Sequence, residues 1–247
     1  LAEQRGLSLV EDCAQANGAE IEGKSVGSFG HINAWSFCQD KIMTTGGEGG
    51  MVTTDDEEAW TKMWSYKDHG KSWDAVYNRQ HPIGFRWVHE SMGTNWRLTE
   101  PQSAIGRIQL RRMAAWRAER TKNALIVLGR LSESPALRIP LPPSNYTSAW
   151  YRAYAYVRPE AMKDGWSRDR ILAECAARGM NQQVGSCSEI YREKAFEGSG
   201  SVPDQPLPNA KELGETSLVF LTHPGLTEAS LHEWCDVLLD VLREATR

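Results

Sequence analysis

The stretch that most constrains this chain is a strand pattern, a lysine and a glycine turn in close succession. Ile32 to Phe37 alternates as a strand and Lys41 follows four residues later. Gly46-Gly47-Glu48-Gly49-Gly50 then turns the chain into a third strand over Gly49 to Thr54. Upstream, Leu7 to Glu11 is a short apolar run that predicts a buried strand, with Asp12 at its end. Strand ends of this kind carry chemistry in open α/β sheets. An acid, a serine and a lysine therefore stand at neighbouring strand ends.

The 247 residues suffice for one large domain or a domain and a half. A net charge of −4 excludes the basic excess of a dedicated nucleic-acid binder. The arginines at 111, 112, 117 and 120 are interrupted by alanine and glutamate on a predicted helix and read as a solvated face. The five cysteines form no CxxC pair and no even framework, which predicts reduced thiols in a cytoplasmic protein. No apolar run approaches the roughly 20 residues of a membrane span, and no signal peptide is visible. Leu1 to Gly6 reads as the tail of a helix closed by glycine. The sequence is thus expected to be the later part of a longer protein.

Asp55-Asp56-Glu57-Glu58 opens a helix that runs to about Asp68 and stops at Gly70. Lys71 to Trp96 has no clean period and reads as a long functional loop. Thr99-Glu100-Pro101 starts a long helix reaching Leu131. Pro135 to Pro143 then breaks the chain. The expected division is a partial large domain over 1–131 and a small domain over 132–247. The latter should hold a strand at Ala153 to Val157, a helix at Ser167 to Arg178 and an irregular stretch from Gly185 to Asn209. A strand at Ser217 to Leu221 and a terminal helix from Thr227 complete it.

The acid, serine and lysine suit pyridoxal phosphate (PLP). That cofactor needs a lysine for its Schiff base and a carboxylate at its pyridine nitrogen. Its phosphate needs hydroxyls, backbone N–H groups or a cation. An aspartate, ionised above about pH 4, is ready as the pyridinium partner.

At these residues the chain resembles the DegT/DnrJ/EryC1/StrS family of sugar aminotransferases, which have fold type I. The matching stretches are EDCAQANGA (11–19), GKSVGSFG (23–30), SFCQDK (36–41), GEGG (47–50), GTNWRLTEPQSAIGRIQL (93–110) and LTHPGLTEASL (221–231). The resemblance implies an α/β chain: the later part of a fold type I large domain, then a smaller α+β domain. It implies that Lys41 forms the Schiff base and moves the proton, and that Asp12 pairs with the pyridine nitrogen. Gln15 would touch the ring, Ser36 the phosphate, and Asn95 a phosphate in the neighbouring subunit of a homodimer. The substrates implied are a nucleotide-linked keto-sugar and an amino-acid donor, usually glutamate, in cell-surface polysaccharide or secondary-metabolite sugar synthesis. Neither nucleic acid nor membrane is an expected partner. Asn17 stands where the family often has His, and Leu98 where it has Met. The family's further phosphate turn and ring-stacking aromatic precede these motifs and are not in this sequence, so the site is expected to be incomplete.

His69 and His89 are weaker candidates for substrate contact, and His81 lies in the same long loop. His223, before Pro224, reads as structural. Asp55 to Glu58 is a helix start rather than a metal site, and no zinc or calcium pattern is present. The glycine turn lacks the GxxxxGK[ST] of a P-loop. Cys13 and Cys38 read as small packers. Two rival functions remain at this point. One is a PLP-dependent sugar dehydratase, which typically carries His in place of the lysine. The other is a catalytically silent PLP-fold assembly or regulatory module.

Overall fold

A computed structural model describes residues 1–180 and 183–247. Among the described residues, nine strands and six α-helices follow in chain order. The strands are β1 (Val10–Asp12), β2 (Glu20–Ile21), β3 (Lys24–Ser25), β4 (Ile32–Ser36), β5 (Gly50–Thr53), β6 (Leu137–Arg138), β7 (Tyr146–Thr147), β8 (Ala153–Val157) and β9 (Ser217–Phe220). The helices are α1 (Glu57–Lys67), α2 (Trp73–Tyr77), α3 (Glu100–Leu131), α4 (Arg168–Ala177), α5 (Pro208–Thr216) and α6 (Glu228–Ala245). None of the described helices is long and apolar enough to cross a membrane.

The chain divides into two compact units. The first comprises Leu1–Ala114 with Ser144–Ala149, and the second Ala115–Pro143 with Trp150–Arg247.

In the first unit, β1 and β4 run parallel, with Asp12 opposite Ala34. β4 and β5 run antiparallel, with Ser36 opposite Gly50. A second small sheet has the order β3-β2-β7. The glycine turn explains the reversal between β4 and β5. Gly46 and Gly47 have φ of +82° and +152°, a region that favours glycine. A side chain on Gly49 would collide with the Thr45 hydroxyl. The Asp56 side chain accepts from the Ala59 N–H at 2.9 Å and caps α1, and two glutamates follow in its first turn. One expectation is corrected here. The first strand is shorter than the apolar run Leu7 to Glu11, and it is not buried: Val10 is 61% exposed. Apolar pattern reports what could be covered, not whether it is.

The second unit holds a large apolar core. β6, β8 and β9 form an antiparallel sheet. Its inward residues Ala153, Ala155, Val157, Leu218 and Phe220 pack with Val127, Leu128 and Leu131 of α3, Ile171 and Cys175 of α4, and the Leu231, Leu238 and Leu242 stripe of α6. That stripe follows the helical period, so one face of α6 is apolar and covered. Ser167 and Thr227 cap α4 and α6 through the Arg170 and Ser230 N–H groups. Two elements are unexpected. They are α2, within the loop after Gly70, and α5, which begins with Pro208 at the end of the irregular stretch and runs up to β9.

Candidate active site

The site grows from the carboxyl ends of two adjacent parallel strands, where ligands of open α/β sheets bind. Asp12 ends β1 with its side chain exposed, and Oδ1 accepts from the Ala14 N–H at 3.0 Å. The chain then turns tightly: Cys13 N donates to Ala34 O at 2.8 Å, and Ala16 N to Cys13 O at 3.0 Å. Gln15 stands exposed on that turn. Ser36 ends β4, two residues beyond the partner of Asp12, and its hydroxyl accepts from the Cys38 N–H at 3.3 Å. Strand spacing of about 4.8 Å and a rise of about 3.3 Å per residue keep the two backbones within one small ligand's length.

Lys41 follows in a turn closed by its own N–H on Cys38 O at 3.1 Å, and its side chain is half-buried. Thr45, 1% exposed, and buried Ile42 and Met43 anchor what comes next. The Thr44 N–H donates to Gln109 Oε1 at 2.8 Å, and Gln102 Nε2 donates to Glu48 O at 2.7 Å. Two glutamines seven residues apart, hence on one face of α3, clasp the glycine turn at both sides. Gly106 lies between them, where a side chain would press on Thr45 Cγ2 at 3.0 Å. The Thr44 hydroxyl is buried without a hydrogen-bond partner. An acidic acceptor, a hydroxyl, an amine and a glycine turn thus share one edge, and this donor set fits PLP.

The other predicted residues lie in a second group at the end of α1. His69 has φ +62° and lies within 3.3 Å of an Arg97 guanidinium nitrogen. Arg97 Nε also donates to Asn95 Oδ1 at 3.1 Å and lies 3.7 Å from Asp68, which pairs with Lys71 at 3.2 Å. Burial alone would raise the Asp68 carboxyl, but Lys71, Lys67 and Arg97 hold it below its ordinary value. Asn95 is exposed. His89 is exposed and meets Lys71 through its backbone, while the His81 ring bonds Ala75 O. The structure therefore joins His69 with Asn95 and leaves His89 and His81 outside that cluster.

A cleft of about 1050 Å³ opens between α1 and β4–β5, lined by Trp60, Trp64, Tyr66, Trp96, Lys67 and Arg97 among others. It includes none of Asp12, Gln15, Ser36 and Lys41. Burial, with the charges of Glu11 and Asp12, pushes the Cys13 thiol up, in keeping with a packing role. Sequence reasoning missed Glu11, Arg97, Gln102 and Gln109; the seven-residue glutamine spacing on α3 was the available signal.

The sequence profile of the DegT/DnrJ/EryC1/StrS aminotransferase family matches residues 1–239. The chain belongs to this family. It is 29% identical over 226 residues to the dTDP-3-amino-3,4,6-trideoxy-alpha-D-glucose transaminase of Streptomyces venezuelae, covering 92% of this chain and 54% of that protein. It is 30% identical over 234 residues to the UDP-N-acetyl-3-dehydro-alpha-D-glucosamine 3-aminotransferase of Acidithiobacillus ferrooxidans, covering 94% and 56%. Among solved structures, the aminotransferase from Psychrobacter cryohalolentis superimposes with a TM-score of 0.93 at 51% identity, over 98% of this chain and 64% of that one. The fold is that of the PLP fold type I aminotransferases, and the chain spans little more than half the length of the curated relatives it matches.

Proposed function

We propose that this family member is part of a PLP-dependent sugar aminotransferase that moves an amino group from an amino acid, glutamate by preference, to a nucleotide-linked keto-sugar. The observation that carries the reading is the placement of Asp12, Ser36 and Lys41 at the carboxyl ends of β1 and β4, beside a glycine turn clasped by α3. The two curated relatives named above are aminotransferases with a dTDP- or UDP-linked sugar in their names, which supports the substrate class.

When bound, PLP supplies an electron sink for the charge left on the reacting carbon. In this reading the Asp12 carboxylate holds the proton on the pyridine nitrogen, in the orientation set by the Ala14 N–H. The Ser36 hydroxyl donates to the phosphate, and the exposed Gln15 amide lies against the ring. Lys41 Nζ anchors the cofactor covalently and carries the proton at the reacting carbon. Asn95 reaches the phosphate of a second subunit's site in a homodimer, and His69 and His89 serve the substrate. The five free cysteines suit a reducing, cytoplasmic setting. Lysine rather than histidine at position 41 favours amine transfer over the dehydratase reading.

The test is reduction of the PLP-treated full-length protein with borohydride, followed by peptide mass spectrometry. The expected result is a pyridoxyl group on Lys41, none on the Lys41→Ala variant, and loss of transamination by a folded variant. Unlabelled Lys41, or wild-type turnover by Lys41→Ala, overturns the reading.

A further inference from the structure

Glu11 has no role in the chemistry above, yet its carboxylate accepts three backbone hydrogen bonds. Gly27 N donates to its Oε2 at 2.8 Å. Phe29 N and Gly30 N donate to its Oε1 at 2.7 and 2.6 Å. Residues 27–30 thus form a concave run of N–H groups around one anion, the arrangement that binds free anions elsewhere.

The loop cannot keep that shape with other residues. Gly27 has φ +82°, and a side chain there would overlap the Trp35 ring. A side chain on Gly30 would fall 2.8 Å from Asn33 Oδ1 and 3.1 Å from Glu11 Cγ. Burial by itself would raise the Glu11 carboxyl; the three N–H donors and the nearby Lys24 charge outweigh it and hold the group below its ordinary value.

The next residue in the chain is Asp12. Successive strand residues leave opposite faces, so a carboxylate locked on one face directs its neighbour to the other. β1 is three residues long, so its ladder to β4 is a short hold on its end. Three charge-assisted N–H bonds at its penultimate residue are stronger than the ladder bonds they supplement. They also spend the Glu11 charge on the loop, away from any cation that Asp12 would meet.

We propose that Glu11 is a positioning residue. Seated in the N–H groups of residues 27–30, it fixes the carboxyl end of β1 and thereby the direction of the Asp12 carboxylate. The proposal rests on the role given to Asp12 above. It also accounts for the pairing of the EDCAQANGA and GKSVGSFG motifs: the glycines of the second wrap the glutamate of the first.

The experiment compares residue-resolved hydrogen exchange in the full-length wild-type protein, Glu11→Ala, Glu11→Gln and Asp12→Ala. The reporter is the Ala14 amide, which bonds Asp12 and not Glu11. Glu11→Ala is expected to speed exchange at Gly27, Gly30 and also Ala14, each by about tenfold or more, the loss of at least one hydrogen bond's protection. Glu11→Gln keeps the shape and lies between, which covers the case in which the alanine variant does not fold. Asp12→Ala, which removes the acceptor, speeds Ala14 alone. Ala14 unchanged in the Glu11 variants, with only Gly27 and Gly30 affected, makes Glu11 a local loop brace and overturns the proposal. Kinetically, Glu11→Gln is expected to lower kcat on the order of tenfold with KM little changed, as misorientation does. If wild type gives no borohydride adduct on Lys41, the aminotransferase reading fails while the Ala14 exchange still decides the proposal about Glu11.

Discussion

Gln109 Oε1 accepts from the Thr44 backbone N–H at 2.8 Å, so the third turn of α3 holds the segment that follows Lys41. The bond spans 65 residues of sequence and turns a flexible glycine run into a fixed one. Replacing the glutamine by leucine leaves that part-buried N–H without an acceptor. Gln109→Leu is expected to destabilise the first unit by about 1–3 kcal/mol, read from the denaturation midpoint. Gln102→Ala, which frees a carbonyl on the more exposed side, should cost less. Equal stability of Gln109→Leu and wild type would show that the clasp is not what holds the turn.

Asp12→Asn is expected to lower kcat far more than cofactor occupancy, on the order of a hundredfold in turnover. An amide keeps the shape and can still accept from Ala14 N–H, but it cannot stabilise a pyridinium charge. Turnover and PLP titration in the full-length protein separate the two effects. A loss explained wholly by weaker PLP binding would leave Asp12 as a binding residue only.

In the second unit, buried Asn123 donates to the carbonyls of Thr222 and His223 at 3.2 and 3.1 Å. These carbonyls precede Pro224 in a turn, where His223 O also accepts from the Leu226 N–H at 3.2 Å. Asn123→Leu conserves most of the volume and removes both bonds. The expected cost is about 1–3 kcal/mol, measured by urea unfolding. A neutral result would mean that the Asn123 bonds add nothing to what the Leu226 N–H and other donors supply.

His223 gives a pH dependence. Burial, then the positive charges of Arg120 and Arg152, push its imidazole below the ordinary value of 6.5. The unfolded chain therefore takes up the proton first as pH falls. The stability that His223 contributes is complete above about pH 6.5 and is lost progressively below it, as pH drops towards and through the depressed folded value. Between pH 8 and 5, the difference in melting temperature between wild type and His223→Asn should be constant above about pH 6.5 and shift against wild type below it. Parallel curves would refute the depressed imidazole.

Much of the architecture was legible because it rests on near neighbours. Asp56, Ser167 and Thr227 bond N–H groups three residues on, so the starts of α1, α4 and α6 could be read from the caps. The limits of α3 and β8 followed from proline, capping and periodicity in the same way. The nine-residue α5 escaped because its composition is polar and its pattern too short to separate from loop. Lys41, Asp12 and Ser36 could be named as candidates from residue type and order, since the motifs are contiguous.

What the sequence by itself determined is therefore the order of most elements, their caps and the candidates for the reactive groups. Only the tertiary structure decided which groups meet. Glu11 enters the 27–30 loop across 16 to 19 residues, Gln109 reaches Thr44 across 65, and Asn123 reaches Thr222 across 99. It also decided that α3 contributes to two units. The physical reason is range. Caps and periodicity act within a few residues, whereas a buried N–H or carboxylate takes its partner from whatever the folded chain brings within about 3 Å, a distance no spacing in the sequence encodes.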